Sequence, residues 1–137
     1  MGMSRGAGIR ALARVTLLVA ATSIACEDTS GPNNVDMHGL SKYDPPLVYL
    51  EWWKDIEECS GVEGDFSRVE WFLADSLVVE GDFALGLWVS PHDIYLIRTV
   101  TSTSWVVKHE MLHDLLKMKG RAHDSTLFDE CASRDRL

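Results

Sequence analysis

Five consecutive residues, His109-Glu110-Met111-Leu112-His113, restrict the fold of this chain more than any other stretch. They form an H-E-x-x-H pentad inside a run, Thr103 to Lys119, that carries helix signals at both ends. Thr101 to Ser104 offer N-cap side chains, and Trp105, Leu112, Leu115 and Leu116 supply an apolar side. Lys117 and Lys119, with Gly120 just after them, mark the stop. On an α-helix residues i and i+4 lie one above the other, so His109 and His113 share a face. Neutral imidazole nitrogen is a zinc ligand, and a carboxylate one residue on can reach a water held by the metal. His109 and His113 are therefore candidate ligands of Zn²⁺, and Glu110 is the candidate general base. The same five letters can also fall by accident on a charged helix.

The rest of the chain supplies one small α+β domain. Pro45-Pro46 precedes a stretch, Leu47 to Glu58, in which Tyr49, Trp52, Trp53 and Ile56 recur at helical spacing between charged residues. That aromatic stripe reads as core, and Gly61 as the helix stop. Arg68–Ala74, Ala84–Val89 and Asp93–Val100 read as strands, with turn signals at Gly81-Asp82 and Pro91-His92-Asp93. Links this short favour antiparallel neighbours. The expected order is helix, antiparallel strands, motif helix and a short tail.

The first 25 residues have the pattern of an export signal: Arg5, Arg10 and Arg14 with no acid before Glu27, then a mostly apolar run from Leu12 to Ala25. A membrane anchor or an amphipathic helix is the alternative. Thr22-Ser23-Ile24-Ala25-Cys26 resembles the cleavage box of a bacterial lipoprotein signal, with Ser23 where leucine is usual. The resemblance implies a lipid on Cys26 that holds the protein to a membrane surface; ordinary cleavage after Ala25 would instead give a secreted protein. Residues 26–44 then read as a flexible tether and 45–137 as the domain. If Cys26 is lipidated, Cys59 and Cys131 remain, and in an oxidising compartment the simplest expectation is one disulfide; the alternative is two buried thiols. Without the three signal arginines, 10 basic residues of the total 13 face 21 acidic ones, a formal charge of −11. No basic patch is present, so nucleic acid is not an expected partner.

With its pentad on a helix that follows a small sheet, the chain resembles the zincin metallopeptidases. The resemblance implies a sheet packed on the motif helix, an edge strand that pairs with an extended peptide substrate, and hydrolysis of a peptide bond. Gly120-Arg121-Ala122-His123 has the Gly-x-x-His form that supplies the third ligand in the metzincin branch. There the glycine follows the second histidine by three residues; here it follows by seven, which implies a helix one turn longer. Six residues of helix beyond His113 rise roughly 9 Å, and three extended residues span roughly 10 Å, so His123 can fold back. Asp124, Asp129 and Glu130 are competing third ligands, and Asp124 could instead orient an imidazole. His92, in a turn, reads as a solvated loop residue, and Tyr95 as strand packing; His38 has no assigned role.

The expectation is thus an exported zinc peptidase with His109, His113 and His123 on the metal, Glu110 as base and a peptide or protein as substrate. A non-catalytic zinc-binding or degenerate zincin lipoprotein is the rival, and a metal-free binding lipoprotein the second.

Overall fold

The computed structural model describes residues 34–117 and 125–134. Their architecture is α+β. Strands β1 (Val35–His38) and β2 (Ser41–Lys42) lead into helix α1 (Val48–Ser60). Strands β3 (Glu70–Ala74), β4 (Ser76–Val79), β5 (Asp82–Phe83), β6 (Gly86–Val89) and β7 (Asp93–Ile97) follow. Helix α2 (Ser104–Leu116) carries the pentad, and α3 (Ser125–Ser133) ends the described chain. Two sheets form, one in the order β1-β4-β5 and the other β2-β3-β7-β6.

Helix α1 forms where the aromatic stripe expects it. Tyr49, Trp53 and Ile56 are buried, and Gly61 closes the helix in the left-handed conformation, with its N–H on the Glu57 carbonyl, a geometry that favours glycine. Its rings pack on β3 and on the turn before it: Tyr49 lies 4.9 Å from Trp71 of β3, and Trp53 lies 5.7 Å from Phe66 in the 3-10 turn that precedes that strand. The Tyr49 hydroxyl donates to the Thr101 carbonyl at 2.7 Å, just ahead of α2. Burial of each such side chain contributes about 1.5–3 kcal/mol, so this stripe alone can hold α1 on the sheet.

Strand alternation puts Trp71 and Leu73 of β3, Ile94 and Leu96 of β7 and Trp88 of β6 on the buried side, as the two-residue period requires. Helix α2 packs against α1, α3 and the β6–β7 side of this sheet. It is buried around most of its circumference, including Lys108 and Asp114. Lys108 pairs with Asp55 of α1 at 3.4 Å and donates to the Arg134 carbonyl after α3, so a buried charge is compensated where three helices meet.

Four sequence expectations change. Val35–His38 and Ser41–Lys42 are strands, not part of a flexible tether, because β1 pairs with β4 and β2 with β3. The sheet of the core is mixed rather than antiparallel: β6 and β7 are antiparallel, but β3 and β7 run parallel. Between them the chain leaves for the β4–β5 pair of the other sheet, so β3 never meets its next strand through a short turn. Helix α2 ends at Leu116, with Lys117 left-handed at φ 52°, one turn before Gly120. Trp105, assigned to the apolar side of α2, is 52% exposed.

Cys59 of α1 and Cys131 of α3 are bonded, with their Cα atoms 5.6 Å apart. The bond closes a loop across 72 positions of sequence and staples α3 to α1. Its reduction is expected to cost about 2–5 kcal/mol, read as a lower urea midpoint in the presence of dithiothreitol. Equal midpoints would mean that packing alone secures α3. No helix among the described residues is long and apolar enough to cross a membrane.

Candidate metal centre

Helix α2 brings His109 and His113 together as the i, i+4 spacing requires. Their ring centroids are 5.0 Å apart at an interplanar angle of 71°. His113 is buried and His109 half-buried. Phe128 of α3 packs on both imidazoles, at 4.9 Å from His109 and 4.7 Å from His113. The Trp88 indole lies nearly parallel to His113, with centroids 6.4 Å apart. Aromatic rings from α3 and β6 therefore flank the pair.

Glu110 projects toward β6, the edge strand of the sheet. The approach is so close that a Cβ on Gly86 would stand 2.7 Å from the Glu110 Oε1. Glycine is needed here for space rather than for its backbone angles. Gly86→Ala is expected to overpack this contact and lower stability by about 1–3 kcal/mol, measured by urea denaturation. A wild-type midpoint would show that Glu110 can move aside. Burial pushes the Glu110 carboxyl up to about 8, and a hydrogen bond from the Trp88 backbone N–H opposes the shift. No lysine or arginine among the described residues offsets that burial.

One turn on from Glu110, Asp114 is also buried. It accepts from the Trp88 indole Nε1 at 2.9 Å and meets His92 Nδ1 at 2.9 Å. The Lys117 amine lies 3.5 Å from the other Asp114 oxygen. His92 is thus not a solvated loop residue: its side chain is 12% exposed and tied to α2. Sequence reasoning passed over Trp88, Asp114, Gly86 and Phe128. The i, i+4 relation of Glu110 to Asp114 was a usable signal, since it repeats the spacing of the two histidines on the adjoining face.

Other assigned residues separate cleanly. Tyr95 stacks on Phe72 at 4.9 Å, on the sheet face opposite Ile94 and Leu96, so it is packing. Asp129 and Glu130 are exposed on α3, whose buried residues are Phe128, Cys131 and Ala132. His123, Asp124, Gly120 and Cys26 lie outside the described residues, as does the segment 1–25. Among the described residues no group of three or more His, Cys, Asp or Glu side chains is placed to hold a metal; the histidine pair contributes two ligands. No family model, curated protein or solved structure matches the chain.

The donor set suits zinc. Two imidazoles on one helix face are borderline-soft ligands of the type Zn²⁺ takes. A carboxyl buried beside them without a cation is costly, and a dication would offset that cost.

Proposed function

We propose that this chain is an exported zinc metallopeptidase of zincin type, anchored to a membrane surface through a lipid on Cys26. The observation that carries the reading is the placement of Glu110: buried between the histidine helix and an edge strand, hydrogen-bonded to that strand's backbone. A salt-bridge or packing role would not call for a carboxyl in that position. His109 and His113 would hold the ion, and His123, two residues before α3, would complete the set. The early end of α2 at Leu116 supports that assignment, because it leaves more chain between the helix and His123 for the return. Phe128, five residues beyond His123, packs on the two imidazoles and brings that end of α3 to the centre.

When bound, Zn²⁺ supplies Lewis acidity toward the scissile carbonyl and a water acidified towards neutral pH. Glu110 takes the proton from the attacking water and later returns it to the leaving amine. The Trp88 N–H fixes the direction of the Glu110 carboxylate. β6 is an outer strand of its sheet, so the edge groups it leaves besides the Trp88 N–H can pair with an extended peptide and present a carbonyl beside the helix. The acidic charge of the mature chain favours peptide substrates over nucleic acid.

The packing of Phe128 over both imidazoles favours a rival, a closed site that holds zinc without turnover. The two separate on one preparation of the mature protein. Peptidase action requires about one zinc per chain together with cleavage of an unbiased peptide pool that a chelator stops and added zinc restores. Zinc at that stoichiometry with no cleavage would replace this reading by the non-catalytic one, and no zinc would remove both.

A further inference from the structure

We propose that Trp88 is the positioning residue of this centre, pinned to helix α2 at two points one helical turn apart so that it aims the Glu110 carboxylate and seats His113. The inference deepens the peptidase reading and rests on it for its catalytic consequence. Its structural part stands on contacts within the protein alone.

Glu110 and Asp114 are four residues apart and share the face of α2 that meets β6. Trp88 bonds to both. Its backbone N–H donates to Glu110, and its indole Nε1 donates to Asp114 at 2.9 Å. Two contacts separated along the helix axis by roughly 6 Å prevent β6 from sliding along α2 or rotating about its own axis. A single contact would allow both motions. The second anchor is itself held: His92 Nδ1 lies 2.9 Å from the same Asp114 oxygen, and Asp114 and Trp88 are 2% and 7% exposed. Water therefore competes little for these bonds.

The same geometry fixes the ring. With its Nε1 on Asp114, the indole lies at 9° to the plane of His113, the residue next to Asp114 in the chain. Trp88 therefore restrains a candidate ligand by ring packing and the candidate base by its backbone. Groups that orient a ligand in this way typically change metal affinity or activity by about 10–100-fold when removed. A base misplaced by about 1 Å loses rate on the order of 10²-fold.

The test uses Trp88→Phe, which keeps an aromatic ring and the backbone N–H but removes the indole donor. Asp114→Leu removes the acceptor, and Asp114→Asn keeps one oxygen to accept the bond. The first readout needs no metal. Hydrogen exchange at the residue 88 amide, followed by NMR in chelator-treated protein, should quicken at least 10-fold relative to the β7 amides in Trp88→Phe and Asp114→Leu. Asp114→Asn should stay close to wild type. The second readout is the visible spectrum of cobalt-substituted protein, which should shift in the two disruptive variants. On the zinc form, kcat should fall about 10–100-fold with KM within about twofold.

Unchanged amide exchange and an unchanged cobalt spectrum in Trp88→Phe would overturn the proposal. So would a lower melting temperature accompanied by wild-type kcat, because that describes packing alone. If wild type cleaves no peptide, the exchange and cobalt results still decide whether Trp88 positions the centre. Loss of the peptidase reading is then distinguishable from loss of this one. Asp114→Asn supplies the comparison should either disruptive variant fail to fold.

Discussion

Glu110→Gln is expected to keep zinc and fold but to lower peptide hydrolysis by about 10²–10⁴-fold, the usual size of general-base assistance. The amide matches the carboxylate in shape and can still accept the Trp88 N–H, so the contact with β6 survives. It cannot take a proton from water. Single-turnover hydrolysis with zinc content measured on the same samples checks this. Activity within tenfold of wild type would show that another group takes the proton. The same variant has a second signature in metal-free protein. Burial raises the Glu110 carboxyl from 4.5 to about 8, so the folded state holds a proton that the unfolded chain releases. The stability tied to this group is complete below about pH 4.5 and is lost as pH rises through about 8. At roughly 1.4 kcal/mol per pKa unit the loss amounts to a few kcal/mol. Glutamine does not titrate, so chelator-treated Glu110→Gln should be the more stable protein at pH 9 and lack this decline. Parallel pH–stability curves for the two proteins would show that Glu110 is not buried without a cation.

Zinc binding itself should collapse in His109→Ala and in His113→Ala, each weakening affinity by more than about 100-fold. Removal of an orienting group costs 10–100-fold, and loss of a ligand exceeds that. His113→Ala also opens space between Trp88 and Phe128, so circular dichroism of the metal-free variant is needed to separate lost ligation from lost fold. His38 is the control. It lies on β1, its side chain is 71% exposed beside Asp36, and His38→Ala should bind zinc as wild type does. Competition with a zinc-sensitive chelator measures all three. Stoichiometric zinc on either pentad variant at wild-type affinity would remove the histidine pair from the centre.

Much of the frame is legible in the residues. The stripe Tyr49, Trp53 and Ile56 places α1, because 3.6-residue spacing of large apolar groups between charges has one economical solution. The three strand segments of the core sheet appear within two or three residues of their expected bounds for the matching reason, alternation at a period of two. Strands β1 and β4 escaped. Val-Asp-Met-His beside Gly31, Pro32, Asn33 and Asn34 looks like linker, and Ser-Leu-Val-Val is too short for a period to declare itself. Each becomes a strand only because the other supplies its backbone partners. The stop of α2 shows the same limit. Gly120 is the better intrinsic terminator, yet Lys117 takes the left-handed position, with its side chain reaching Asp114 and the His92 ring.

The sequence by itself determined the histidine pair. Spacing along one helix sets their relation, and no distant residue is needed to bring His109 over His113. It also left Cys59 and Cys131 as the expected pair within the domain, with Cys26 outside it. The tertiary structure alone decided what surrounds that pair. Parallel pairing of β3 with β7 puts β6 at the sheet edge, the edge strand brings Gly86 and the Trp88 N–H onto Glu110, and the packing of α3, bonded to α1 through Cys131, sets Phe128 on the imidazoles. These contacts join residues 15 to 72 positions apart. A local period encodes which face a side chain takes, and it carries no information about which strand becomes its neighbour. That choice is made by the combined burial of several elements at once, as the sheet order and the packing of α1 and α3 around α2 are settled together.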